Sequence, residues 1–477
     1  MSAAMKLSNF PGDVKFLVIS LLISIHLSLT TGTANVQRYF GSKTAYELIH
    51  PPPEIVIEDE FNSVQVGTFS CLAAHSSSVM RHGARYPGLE DVQSISKIHK
   101  DIYDKLTSDK FQPLKEWKNS FPQNNEKMLM ALGEEEQIHL GHRTARRLRS
   151  LFVDEDMENF RFLVSSKQRT QESGNAYHEG FLQALMGDSE EGDMDSELSD
   201  ETLRFHERCQ KYIHTVGKNK TAIMEFYKFL SGKEMTNIMK KVSSKLGIPE
   251  DLLKTEHLRT MYLVCGYETA LYQSSPWCSL FDEEDFKVLE YLSDLKHYYK
   301  NGYGHKITAI QSCPLVTDIF TTMDDAIEAM ETEVDEEDLN GYVLGNFYFG
   351  HAETLGPLYA ALGLFNDTLP LTADNYLQQS SRLFRTSEIL PFSANLMLIL
   401  YECDQNDELL TESEAADETR ETTQYMLRLY VNEKVMKIPG CEDLTCLYSQ
   451  VRKRFVDLIS CNFSKVCDYN GRPRDEL

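Results

Sequence analysis

The sequence predicts an α/β protein whose sheet is covered by helices on both faces, with a smaller, mainly helical insertion that acts as a cap. Three observations predict it. Short apolar runs of strand length alternate with helix-period segments over most of the chain. Between residues 202 and 300 that alternation stops and the pattern is mostly helical. The 477 residues, 42% of them hydrophobic, suffice for a full core without help from bound metal.

Strands are expected at Ser77–Met80, Phe160–Ser165, Tyr342–Phe349, Leu396–Tyr401 and Leu427–Val431. The first is more polar than a central strand should be, because it continues His75-Ser76 into Ser77-Ser78. In the helical block Phe226, Phe229 and Leu230, then Ile238, Val242 and Leu246, recur at helical spacing. Residues 35–70 read as an extended, polar lead-in, with Pro51-Pro52-Pro53 blocking regular structure. Acidic stretches at Asp188–Glu201, Glu331–Asp338 and Glu412–Glu421 read as solvated linkers or faces. The expected division is a signal peptide over 1–34, a discontinuous α/β core over 35–195 and 301–470, the insertion over 196–300, and a tail over 471–477.

Lys6 and Lys15 precede an apolar run from Phe16 to Leu29, and the small residues Thr31, Gly32, Thr33 and Ala34 follow. That order is the order of a secretory signal. The run is short for a bilayer span of about 20 residues, and no other stretch is apolar enough, so no membrane span is expected. None of the ten cysteines forms a C-x-x-C pair, which disfavours a structural zinc site. In an exported chain they read as disulfides, and Cys441/Cys446 and Cys461/Cys467 are close enough for local bridges. Sequons at Asn219, Asn366 and Asn462 fit export and glycosylation. The terminal Arg474-Asp475-Glu476-Leu477 is similar to the Lys-Asp-Glu-Leu retrieval address. The expected location is the lumen of the endoplasmic reticulum, with secretion as the alternative, and the expected protein partner is the retrieval receptor.

The charge is −25, from 48 basic and 73 acidic residues, which argues against a nucleic-acid partner. Three segments nonetheless concentrate basic groups behind expected strands. They are Arg81-His82-Gly83-Ala84-Arg85-Tyr86-Pro87, then Gln168-Arg169-Thr170, then His351-Ala352-Glu353-Thr354. Ligands of α/β sheets bind outside the carboxyl ends of the strands, so the three clusters are expected to meet. Together they offer Arg81, Arg85, Arg169, His82, His351 and Glu353. Arginine forks suit phosphate oxygens, a neutral imidazole is a competent nucleophile, and a carboxyl can protonate a leaving alcohol. Taken singly, Arg169, His351 and Glu353 read more readily as a salt-bridge partner, a core histidine and a helix-start carboxylate. The helix after Gly133 carries Arg143, Arg146, Arg147 and Arg149, a solvated basic face by preference and a steering surface otherwise.

The string from Arg81 to Pro87 resembles the R-H-G-x-R-x-P signature of the histidine acid phosphatases. His351-Ala352-Glu353-Thr354 is similar to the motif that replaces His-Asp in the multiple inositol polyphosphate phosphatases, and Arg169 lies where that family places a third phosphate-binding arginine. The resemblance spans roughly residues 60–470 in motif order and implies a histidine-phosphatase-like sheet with a smaller helical domain. It implies that His82 attacks phosphorus, that Arg81, Arg85, Arg169 and His351 bind the phosphate, and that Glu353 protonates the leaving oxygen. Neither metal nor other cofactor is implied. The substrates implied are small phosphorylated anions, namely inositol hexakisphosphate and lower inositol polyphosphates, with 2,3-bisphosphoglycerate a further candidate. A broad-specificity acid phosphatase, a silent phosphate-binding protein and a phosphoglycerate mutase are the rival readings.

Overall fold

The distant polar clusters can meet because four parallel strands lie side by side. The computed structural model describes residues 36–106, 111–153, 157–187, 194–332, 342–406 and 423–469. The expected signal peptide, the acidic run at 412–421, parts of the runs at 188–201 and 331–338, and the terminal tetrapeptide lie outside the described residues. Among the described residues nine strands form one sheet: β1 (Ser63–Val66), β2 (Phe69–Arg81), β3 (Phe160–Val164), β4 (Ser196–Leu198), β5 (Gly345–Gly350), β6 (Asn395–Gln405), β7 (Thr423–Val431), β8 (Lys434–Met436) and β9 (Thr445–Leu447). The spatial order is β4-β3-β5-β2-β6-β7-β8, with β1 on β2 and β9 on β7. β4, β3, β5 and β2 are parallel, and β6 runs antiparallel to β2. All five expected strands are present, most of them longer than their apolar runs.

Side-chain alternation sends each strand's residues into two cores. Val79, Leu163, Tyr348 and Leu398 pack on one face, Met80, Phe162, Phe347 and Ile399 on the other. The longer helices are α1 (Leu89–Tyr103), α2 (Ala131–Arg147), α3 (Gln168–Met186), α4 (Lys233–Leu246), α5 (Thr255–Tyr272), α6 (Glu283–Asn301), α7 (Cys313–Glu331) and α8 (Ala352–Leu362). The apolar positions read from the helical block are buried: Phe226, Phe229 and Leu230 on the helix Met224–Leu230, and Ile238, Val242 and Leu246 on α4.

The polar stretch His75–Ser78 in the middle of β2 is buried, and two of its side chains, His75 and Ser77, are paired there. His75 donates from Nδ1 to the Val343 carbonyl at 2.6 Å, and its Nε2 meets Ser77 Oγ at 2.9 Å. α2 and α3 approach so closely that a Cβ on Gly141 would overlap the Tyr177 carbonyl oxygen, and one on Gly180 the Ile138 carbonyl oxygen.

Three expectations need correction. The lead-in is not simply extended: Gln37–Tyr39, Gly41–Lys43 and Tyr46–Ile49 are helical turns, and Phe40, Tyr46 and Ile49 are buried. Phe40 packs edge-on to Phe286 of α6, which anchors a segment that its prolines seemed to rule out. Cys441 does pair with Cys446, but Cys461 pairs with Cys313 and Cys467 with Cys209; Cys71–Cys403 and Cys265–Cys278 complete the set. Short spacing failed because Cys461 and Cys467 sit on an arm that two other elements hold. The four arginines, three on α2 and Arg149 just beyond it, do not form a single solvated face. Arg143 and Arg147 are buried on Glu433, while Arg146 and Arg149 pair with Glu58.

Candidate active site

The registers β2/β5 and β3/β5 bring the three clusters to one sheet edge. Arg81 lies opposite Gly350, and Val164 opposite Phe349, so His82, Ser165 and His351 follow together. His82 N–H donates to Gly350 O at 3.0 Å, and Ser165 N–H to Phe349 O at 3.3 Å. The His82 and His351 ring centroids are 5.5 Å apart. His82 Nδ1–H donates to the Gly83 carbonyl oxygen at 2.9 Å. A carbonyl only accepts, so Nδ1 carries the proton and Nε2 keeps its lone pair. Burial, then Arg169, Arg81, His351 and Arg85, hold this imidazole well below its ordinary pKa, so it stays neutral in acid.

The arginines are held by one part of the fork and leave the other unmade. Arg81 Nη1 donates to Ser42 O (2.8 Å) and Leu390 O (2.7 Å), with its guanidinium 4.6 Å from the Phe392 ring centroid. Arg85 Nη1 donates to Tyr86 O at 2.7 Å. Arg169, in the first turn of α3, donates to His351 Nδ1 at 3.2 Å. The Nε–H groups of Arg81, Arg85 and Arg169 are buried without a partner among the described residues. Buried donors without acceptors are costly, and three of them around one histidine suit the oxygens of a phosphate.

His351 is held through both ring nitrogens. Its Nδ1 accepts from Arg169 and its Nε2 bonds Ser165 Oγ at 2.9 Å, so both ring nitrogens are committed and the ring positions Arg169. Glu353 lies two residues on, exposed to the cleft, in the first turn of α8. Burial by the surrounding atoms pushes its carboxyl up. His206, His351 and His297 outweigh that and hold it well below the usual carboxylate range.

The cleft has two lobes. The inner, about 530 Å³, is lined by Lys43, Arg81, Arg85, Lys127, Lys167, Arg169 and Arg204 as well as His82 and Glu353. The outer, about 600 Å³, shares Lys43 and Arg85 and adds Lys218, Arg259, Lys296 and Lys300. Eleven cationic side chains thus face four carboxylates, Asp91, Glu126, Glu207 and Glu353, in a protein of net charge −25. Lys296 is pushed down to about 8 by burial and by Arg259 and Lys300.

Residues 75–432 match the profile of the histidine phosphatase superfamily, branch 2. The chain belongs to this family. Among relatives of this branch-2 phosphatase are multiple inositol polyphosphate phosphatase 1 of Gallus gallus, 32% identical over 94% of this chain and 98% of that protein, and of Homo sapiens, 31% identical over 91% and 90%. The fold is similar to that of the Bifidobacterium longum multiple inositol polyphosphate phosphatase crystallised with inositol hexasulfate, with a TM-score of 0.68 and 17% identity over 88% of this chain and 97% of that one. The phytase of D. castellii has a TM-score of 0.67 and 16% identity, covering 92% of this chain and 88% of that one.

Several residues in and around the cleft of this phosphatase carry no signature string. Ser42 and Lys43 come from the lead-in, Phe392 and Ser393 from the turn before β6, and His206, Lys296 and His297 from the helical block. Beneath the site, Gly83 packs against Gly133 so closely that a Cβ on either would overlap the other's backbone. The α2 side chains then grip the loop: Gln137 Nε2 donates to Arg81 O at 3.1 Å, and Glu136 accepts from Tyr46 N–H (2.6 Å), Ser393 Oγ–H (2.8 Å) and Ala84 N–H (3.3 Å).

Glu136 is 2% exposed, and burial pushes it up to about 7 from an ordinary 4.5 despite those bonds. The folded protein therefore holds a proton that the unfolded chain has released between these values. Its contribution to stability falls as pH rises through that window, by up to about 3 kcal/mol. Melting curves at pH 5 and pH 7 are expected to show the wild type losing stability relative to Glu136→Gln. Parallel curves would remove Glu136 as the titrating group.

Proposed function

We propose that this phosphatase hydrolyses phosphate monoesters of inositol polyphosphates through a phosphohistidine at His82. The observation that carries the reading is the set of unpaired arginine Nε–H groups around a histidine whose Nε2 is free and whose Nδ1 is tied to Gly83 O. His82 Nε2 attacks phosphorus, and Arg81, Arg85 and Arg169 hold the equatorial oxygens as charge develops there. His351 acts by holding Arg169. Glu353 delivers the proton to the leaving oxygen and later takes one from the water that cleaves the phosphohistidine.

The outer lobe supports a polyphosphate over a simple monoester. One phosphate needs only the inner arginines, whereas Arg259 and Lys296 make no ion pair among the described residues. The name borne by the Gallus gallus and Homo sapiens relatives supports the same substrate class. 2,3-Bisphosphoglycerate, with two phosphates, is a smaller substrate under this reading. The test is phosphate release from inositol hexakisphosphate without added metal. An Arg259→Ala/Lys296→Ala double variant is expected to raise KM for hexakisphosphate about tenfold more than for p-nitrophenyl phosphate. No release by the wild type would sink the reading, and equal effects on both esters would remove the outer lobe from it.

The site of action we propose is the lumen of the endoplasmic reticulum, with the retrieval receptor reading the C-terminus. Five disulfides support an oxidising compartment. No helix among the described residues is long and apolar enough to cross a membrane. Asn366 and Asn462 are exposed and suit glycans; Asn219 is half-buried and donates to Thr215 O at 3.1 Å.

A further inference from the structure

Resting on that reading, we propose that His206 is the proton-holding partner of Glu353, and that the two share the proton taken up by the leaving alkoxide.

Three histidines surround the Glu353 carboxyl: His206, His351 and His297. Two are unsuited to hold its proton. His351 has both ring nitrogens committed, to Arg169 and Ser165. His297 accepts at Nδ1 from Asn301 at 3.0 Å, and burial, Lys296 and Lys43 push it down to about 3.

His206 is placed otherwise. It stands on the short helix Phe205–Arg208, its side chain is 12% exposed, and it lines the outer lobe together with Glu353. Its ring centroid is 6.5 Å from that of His351. Its Nδ1 is buried without a hydrogen-bond partner among the described residues, and Nε2 lies 3.8 Å from the Glu207 carboxylate, beyond hydrogen-bond reach. A buried imidazole nitrogen left unpaired is costly unless a reacting group completes it.

The groups facing His206 are Glu207 and Arg204 beside it, Asp200 from the preceding turn, His351 between β5 and α8, and Glu353 from the first turn of α8. Burial, with Arg204 adding to it, outweighs the pull of Glu353 and Glu207 and leaves the imidazole below its ordinary pKa. In return His206 heads the charges that lower Glu353. Each group thus bears on the other's proton affinity.

A general acid must hold a proton when the bond breaks. Glu353 by itself, among so many cations, does not. Shared with His206, one proton stays on the pair, and the negative charge of a bound polyphosphate strengthens its hold. His82 Nε2 then forms its bond to phosphorus, the P–O bond to the inositol breaks, and the leaving oxygen takes the proton from the Glu353 carboxyl. The His206 N–H resupplies Glu353. Water next attacks the phosphohistidine, the N–P bond breaks, the water's proton returns to the pair and inorganic phosphate leaves.

The test compares wild type, His206→Phe and His206→Gln on β-glycerophosphate, whose alkoxide needs a proton, and on p-nitrophenyl phosphate, whose phenolate does not. Both variants are expected to lose about 100-fold in kcat on β-glycerophosphate relative to p-nitrophenyl phosphate. The alkaline limb of kcat/KM for β-glycerophosphate is expected to move toward acid, because the remaining carboxyl releases its proton earlier. Equal losses on both esters, no loss on either, or an unmoved alkaline limb would overturn the proposal. Should the phenylalanine variant fail to fold, the glutamine variant decides. A wild type inactive on both esters would count against the phosphatase reading itself.

Discussion

Phosphate release from inositol hexakisphosphate by His82→Ala is expected to fall by about 10⁴-fold or more, since the covalent route disappears. Binding should survive, because Arg81, Arg85 and Arg169 are anchored through Ser42 O, Leu390 O, Tyr86 O and His351 rather than through His82. The measurement is single-turnover release beside calorimetric binding of hexakisphosphate, with an alkaline quench to retain any phosphohistidine formed by the wild type. Turnover by the variant within tenfold of wild type would move the nucleophile elsewhere. The electrostatics add a second expectation. Because burial and the surrounding cations keep His82 neutral well below its ordinary pKa, the nucleophile itself should not limit the acid side of the rate profile.

The second large effect is on stability, and its sign is the point. In a helix interior Gly→Ala normally stabilises by about 1 kcal/mol. At Gly180 of α3 the added methyl would overlap the Ile138 carbonyl oxygen of α2, a backbone atom that cannot rotate away. Forcing the helices apart is expected to cost about 3 kcal/mol, so Gly180→Ala should be net destabilising by about 2 kcal/mol. Urea unfolding monitored by circular dichroism reads this directly. Activity should fall as well, because α3 carries Arg169 and α2 carries the side chains that grip the loop from Arg81 to Ala84. A variant as stable as wild type would mean that the two helices can separate freely.

Much of this was readable in the chain. Arg81, His82, Arg85, Arg169 and Glu353 stand in short strings that follow strands, and parallel pairing of β2, β3 and β5 brings those strings together. The β-branched and aromatic runs announced the strands because they are buried on both faces. The rest was hidden for physical reasons. Lys43 and Ser42 reach the cleft only because Phe40 and Tyr46 bury their turn, a long-range packing event. His206, Lys296 and His297 sit on helices whose local pattern reports a core face and says nothing about which cleft the other face lines. The ion pairs of Arg143 and Arg147 depend on Glu433, almost 290 residues away along the chain. The pairing of Cys461 and Cys467 likewise depends on partners that spacing does not reveal.

Those disulfides also set a timetable. Cys71 pairs with Cys403, 332 residues later, and Cys209 with Cys467, 258 residues later. At translation speeds of about 5–20 residues per second, Cys71 waits roughly half a minute for its partner. Before that partner appears, Cys209, Cys265, Cys278 and Cys313 join the nascent chain in turn, and Cys265 and Cys278 alone among these have their mate close at hand. Wrong bridges are therefore favoured early by proximity and must be exchanged late. The yield of active protein should depend on thiol–disulfide exchange after synthesis, and an oxidant supplied without an isomerase should trap the chain in misbridged forms.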